Sequence, residues 1–101
     1  MALSEAQIRK LEQVLAPQKD MAPEIKIPST AALCTLGDHL ILKDELKKLN
    51  GVSKILLLKR ADKVTQNLMD MLAIVSEKNP ETRDLMQECL GSLASGQSPS
   101  K

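Results

Sequence analysis

The chain contains no phenylalanine, tyrosine or tryptophan among its 101 residues, although 43% of it is hydrophobic. Its core must therefore be built from leucine, isoleucine, valine, alanine and methionine. Leucine and methionine favour helices, whereas strands favour β-branched and aromatic residues. The composition thus predicts an all-α fold. It also argues against stacking on nucleic-acid bases, which the commonest single-strand readers do with aromatic rings.

Capping residues and prolines divide the chain into segments. Ser4, with Gln7 three residues later, predicts a capping box at the start of a first helix that ends before Pro17. Three prolines between positions 17 and 28 indicate an extended linker. We therefore predict four parts: an N-terminal helix (1–16), a proline-containing linker (17–28), a helical domain (29–94) and a disordered tail (95–101).

Turn-forming residues predict breaks inside the helical domain. Gly37-Asp38 favours a bend, with Asp38 as the cap of a new helix, and Asn50-Gly51 is a strong helix stop. Residues 52–60 form a short apolar run that predicts a buried helix, with a strand as the alternative. Asp62 is expected to cap a separate long helix, and Asn79-Pro80 to start the last one. The pattern predicts about five to six helices.

Two segments of the chain are similar to each other, namely residues 43–51 (KDELKKLNG) and 83–91 (RDLMQECLG). Each follows a longer amphipathic segment. The order of long helix, short helix, glycine, short apolar helix and acidic cap resembles armadillo repeats over residues 29–95. The resemblance implies a small helical bundle or a short α-solenoid of about one and a half repeats. The positions that line the peptide groove of armadillo proteins correspond here to Cys34 with Asp38, and to Asp70 with Ile74. Neither pair matches the residues that bind peptides in those proteins, so the resemblance implies no specific peptide.

The predicted function is a non-catalytic protein–protein interaction module, an adaptor or scaffold that binds a partner through a helical surface. Ile74 lies off the apolar stripe of its helix, which suggests an exposed apolar contact. The candidate partner-binding residues are Asp38, Asn67, Asp70, Ile74 and Glu77.

Basic residues are concentrated in the middle of the chain. Residues 43–63 contain seven basic and three acidic side chains, a net charge of +4, whereas the whole chain carries +1. Five of them form a candidate basic face: Lys47, Lys48, Lys54, Lys59 and Arg60. One alternative function is a nucleic-acid-associated helical domain that uses this face. Another reading is a solvated surface with Asp44–Lys48 pairing, and a further alternative function is a homo-oligomerisation domain.

The residues that most often carry catalysis or bind metals are few. The single histidine, His39, is expected to be a partly exposed helix residue, and Cys34 and Cys89 match no zinc or redox spacing. We expect both cysteines to be buried thiols, with a disulfide as the less favoured alternative. The sequence therefore predicts no enzyme, metal site or cofactor. Without a visible signal peptide or membrane segment, a cytoplasmic or nuclear location is expected.

Overall fold

The computed structural model describes residues 3–96, and every regular element in that range is helical. The elements are α1 (Glu5–Leu15), α2 (Pro23–Leu46), α3 (Gly51–Lys78) and α4 (Arg83–Gly96), with a 3₁₀ turn at Pro80–Thr82 before α4. The all-α prediction is confirmed, with four α-helices instead of five to six. The predicted disorder of the tail falls largely on residues 97–101, outside the described range, whereas residues 95 and 96 belong to α4.

Helix α1 begins with the predicted capping box. The Gln7 amide donates to the Ser4 hydroxyl at 3.1 Å, and the Ser4 amide donates to the Gln7 side-chain oxygen at 2.9 Å. These bonds satisfy two amides that no helical carbonyl can reach. Leu11 and Leu15, one helical turn apart, are fully buried. This helix therefore packs firmly on the rest of the molecule.

Helix α2 is longer than predicted at its start and is not interrupted within. It begins at Pro23, inside the expected linker, because proline suits a first helical turn where no amide bond is required. Pro28 lies in the second turn and removes one bond, the one to the Glu24 carbonyl, so the helix continues through it. The predicted bend at Gly37-Asp38 is wrong, since the helix passes through both residues.

Helix α3 joins two segments that were predicted to be separate. Asn50-Gly51 does break the chain, as predicted, because Gly51 adopts a left-handed conformation with φ +69°. From there one helix runs to Lys78, so residues 52–60 are helical and Asp62 is an interior residue, not a cap. No proline or glycine occurs between 52 and 78, and a single aspartate does not stop an otherwise helix-favouring run.

The last turn of α3 is tied to α4. The Asn79 amide closes α3 by donating to the Val75 carbonyl at 2.8 Å, and Pro80 starts the next turn, as predicted. The Arg83 side chain donates to the Ser76 carbonyl at 3.3 Å, and Gln87 donates to the Ser76 hydroxyl at 3.2 Å. These bonds satisfy polar groups at a buried junction.

The core lies where all four helices meet. Its buried hydrophobic residues are Leu3, Leu11, Leu15, Ala32, Leu36, Leu68, Leu72, Val75, Met86, Cys89 and Leu93. At its edge the Gln7 side-chain amide donates to Glu88 at 2.9 Å and to Ser92 at 3.0 Å, which links α1 to α4. The last buried core residue of α2 is Leu36, and the first buried core residue of α3 is Leu68.

Candidate interaction surface on the distal hairpin

Helices α2 and α3 extend beyond the core as a two-helix hairpin. We call residues 40–67 the distal hairpin, and every residue in it is at least partly exposed. The reason is length: α1 and α4 have 11 and 14 residues, whereas α2 and α3 have 24 and 28. At 1.5 Å per residue the short helices reach roughly 16–21 Å and the long ones roughly 36–42 Å. Apart from Leu40, which packs against the core, residues of the distal hairpin are therefore covered mainly by the opposite helix of the hairpin.

Large apolar side chains are concentrated on this part of the molecule. Among residues 3–96 seven large hydrophobic residues are exposed, and five of them belong to the distal hairpin. These five, which we call the apolar surface, are Ile41 (62% exposed), Val52 (72%), Ile55 (57%), Leu56 (62%) and Leu58 (42%). Several large apolar residues exposed on one part of a molecule often mark an interaction site.

Helical spacing explains why so much of this apolar run stays uncovered. Leu57 is half-buried, whereas Leu56 and Leu58 on either side of it are exposed. Successive residues lie about 100° apart around a helix, so one neighbouring helix can cover only part of a run that is apolar on all sides. Sequence reasoning assigned this run to the interior and so missed the apolar surface. The signal was present, since a helix that is apolar all round requires cover on more than one side.

An open groove lies between the two helices of the distal hairpin, with a volume of about 220 Å³. It is lined by Asp38, Ile41, Leu42, Leu57, Arg60 and Val64. The structure thus brings Asp38, a predicted partner-binding residue, together with Arg60 of the predicted basic face. Four of the six lining residues are apolar, and the other two, Asp38 and Arg60, are charged. The groove can therefore accept apolar side chains of a partner.

The predicted basic residues are all exposed, but they do not form a separate face. Lys47 and Lys48 follow the end of α2. Lys54 lies in the first turn of α3, and Lys59 and Arg60 lie further along the same helix. They are therefore interspersed with the residues of the apolar surface. Lys48 pairs with Asp44 at 3.4 Å, as predicted. Within the described range, the other four basic residues of this set form no salt bridge with a carboxylate.

The remaining predicted partner-binding residues lie on α3 nearer the core. Asn67, Asp70, Ile74 and Glu77 are all exposed, and their spacing of three and four residues places them on one side of the helix. Asp70 accepts a hydrogen bond from Gln66 at 3.1 Å. Ile74 is 38% exposed, in agreement with its off-stripe position, whereas Met69 on the same helix packs against the core. The fifth predicted partner-binding residue, Asp38, lies on α2 and not on α3.

His39 is buried, which corrects the prediction that it is partly exposed. Its Nδ1 lies 3.1 Å from the Thr65 hydroxyl, so it joins α2 to α3 at the base of the distal hairpin. Its Nε2 is also buried and has no hydrogen-bond partner. Burial, and to a smaller degree the charge of Lys43, lowers the pKa of the imidazole. The neutral ring is therefore the favoured form at this position.

The two cysteines occupy different environments. Both are free thiols, but Cys34 is exposed on α2, so the prediction that both are buried is wrong for this one. Cys34 is on the side of α2 that no other helix covers. Cys89 belongs to the core, where burial, with a smaller effect of Glu88, raises the pKa of the thiol to about 11. Its reactive thiolate form is therefore scarce at neutral pH.

Within residues 3–96 no group of three or more His, Cys, Asp or Glu side chains is arranged to hold a metal ion. No helix in that range has an apolar stretch long enough to cross a membrane. Comparison with known proteins found no matching family model, no similar curated protein and no similar solved structure.

Proposed function

We propose that this protein is a protein-interaction module that binds a partner protein through the distal hairpin. One observation carries the proposal: five large apolar side chains stand between 42% and 72% exposed on a part of the chain that has no core of its own. A partner that covers them would act as the missing neighbouring helices. The module is an adaptor or scaffold in this view, in a cytoplasmic or nuclear setting.

The energetics favour cover by a partner. Fully burying one valine, leucine or isoleucine side chain stabilises by roughly 1.5–3 kcal/mol. Five such residues therefore offer a large driving force, from which the cost of association and of side-chain ordering is subtracted. Protein interfaces typically combine an apolar centre with a polar rim. The apolar surface and the basic side chains beside it supply both kinds of group.

The predicted residues on α3 extend the same interaction surface toward the core. Val52 and Leu56 lie on the side of α3 that also carries Asn67 and Ile74, since their separations are close to whole helical turns. A partner that follows this side would contact both sets. The resemblance to armadillo repeats stays a prediction, and it agrees with partner binding along a long helix.

A second candidate, nucleic-acid association, is favoured by one observation, the four basic residues that lack a carboxylate partner. The apolar side chains interleaved with them argue against it, because phosphates gain nothing from covering leucine and isoleucine. Binding to mixed-sequence DNA or RNA that weakens steeply with salt would support this alternative. Salt-insensitive or absent binding would remove it.

The experiment compares three forms of the full chain in affinity capture followed by mass spectrometry: the wild type, Leu56→Asp and Ile27→Asp. Ile27 is the matched control, because it is 70% exposed on α2 but lies outside the distal hairpin. We expect a specific set of proteins that the wild type and Ile27→Asp retain and Leu56→Asp loses. Circular dichroism melts confirm that each variant is folded. Capture that is unchanged by Leu56→Asp would contradict the proposal.

A further inference from the structure

We propose that the partner element seated on the distal hairpin is an amphipathic helix whose apolar stripe is flanked by acidic side chains. This inference rests on the proposed function and specifies the partner's chemistry. It is drawn from the shape of the groove, from the distribution of apolar residues and from the unpaired basic charge around them.

The shape of the surface fits a helix. The groove between α2 and α3 runs between two adjacent helices, and a third helix can place a ridge of side chains into such a groove. Its α3 lining residues, Leu57, Arg60 and Val64, are three and four residues apart, the spacing at which a helix presents side chains along one side. The described part of the chain has no strand, so it offers no sheet edge to which an extended peptide would add.

The charge of the surface fits acidic flanks. Residues 43–63 carry a net charge of +4, and of their seven basic side chains only Lys48 forms a salt bridge within the described range. Complementary charge around an apolar centre speeds association and rejects partners of the wrong sign. A second copy of the chain would bring +4 against +4, which disfavours self-association through this surface.

The arrangement around α3 favours a protein over a membrane surface. A helix that lies in a membrane interface separates its apolar side from a polar side. Viewed down the axis of α3, at 100° per residue, apolar and basic side chains are interleaved around the helix. The apolar ones are Ile55, Leu56 and Leu58, and the basic ones are Lys54, Lys59 and Arg60. A partner with both apolar and acidic groups matches this mixture better than lipid tails do.

The test uses the full chain and two synthetic helical peptides as probes. Both peptides carry the same leucines at helical spacing; one has glutamates beside the leucines and the other has lysines. Binding is measured by fluorescence anisotropy at low and moderate salt. We expect the glutamate peptide to bind at least about tenfold more tightly, with a preference that shrinks as salt rises.

Charge-reversed variants localise the effect. Lys54→Glu/Lys59→Glu should lose the preference for the glutamate peptide, whereas Lys26→Glu, an exposed basic residue of α2 outside the distal hairpin, should keep it. Leu56→Asp should weaken both peptides, since it removes the apolar contact that they share. An unchanged preference in the double variant would place the binding elsewhere and overturn the inference.

The outcomes separate this inference from the proposed function. Equal binding of both peptides, lost in Leu56→Asp, would refute the acidic partner and leave protein binding by the distal hairpin intact. Self-association in sedimentation that Leu56→Asp abolishes would make the occupant a second copy and overturn the inference. Binding to phosphatidylserine vesicles without binding to either peptide would overturn both, as would no interaction that depends on the distal hairpin.

Discussion

Leu56 and Leu68 lie on the same helix, α3. Replacing each with alanine tests whether the end of α3 that contains Leu68 packs in the core while the end that contains Leu56 remains uncovered. Leu68 is fully buried, whereas Leu56 is 62% exposed. Leu→Ala removes three carbon atoms, worth roughly 0.8 kcal/mol each when buried, and it leaves a cavity in a packed site. We therefore expect Leu68→Ala to lower the free energy of unfolding by about 2.5–5 kcal/mol.

Leu56→Ala should cost far less. Somewhat more than a third of the Leu56 surface is covered, which scales the transfer cost to about 1 kcal/mol at most, and alanine recovers a little through its helix propensity. The measurement is urea unfolding, followed by circular dichroism, together with thermal melts. Leu68→Ala should reduce Tm by roughly 10 °C or more, since about 1 kcal/mol corresponds to 4–8 °C in a domain of this size. Equal losses in the two variants would refute the assignment of residues 40–67 to an uncovered surface.

Three further predictions concern titration, thiol reactivity and capping. Because burial lowers the pKa of His39 in the folded state, the unfolded chain binds this proton first as pH falls, so the folded state loses stability as pH drops below about 6.5, the ordinary pKa of the imidazole. The urea midpoint of His39→Gln should therefore fall less than that of the wild type between neutral pH and the pH at which folded His39 titrates. An identical dependence of the two midpoints on pH would contradict the burial argument. A thiol reagent should modify Cys34 rapidly in the folded protein and Cys89 only after unfolding, as mass spectrometry of the labelled peptides would show; equal rates would be inconsistent with the packing of α4. Ser4→Ala should reduce the free energy of unfolding by about 1 kcal/mol, with Ser4→Gly closer to the wild type, and a neutral Ser4→Ala would indicate that the capping box contributes little.

Several features of this protein were predictable from a few neighbouring residues. The lack of aromatic residues and the abundance of leucine favoured helices, and the structure is all-helical. The capping box at Ser4, the break at Asn50-Gly51 and the restart at Asn79-Pro80 also occur where they were predicted. Each depends on the φ and ψ preferences or hydrogen bonds of adjacent residues, which act within one helical turn.

Other features were decided only by tertiary structure. Local preferences allowed a break at Asp62 and a bend at Gly37-Asp38, but both helices continue through these residues. The burial of His39, the exposure of Cys34 and the uncovered apolar run that follows Gly51 likewise depend on which side of a helix its neighbours reach. Helical periodicity identifies the sides of a helix but does not say which of them another helix covers. Here α1 and α4 are too short to cover α2 and α3 along their whole length. The sequence therefore determined the helices, and the unequal lengths of the packed helices determined which apolar residues form the core and which remain available to a partner.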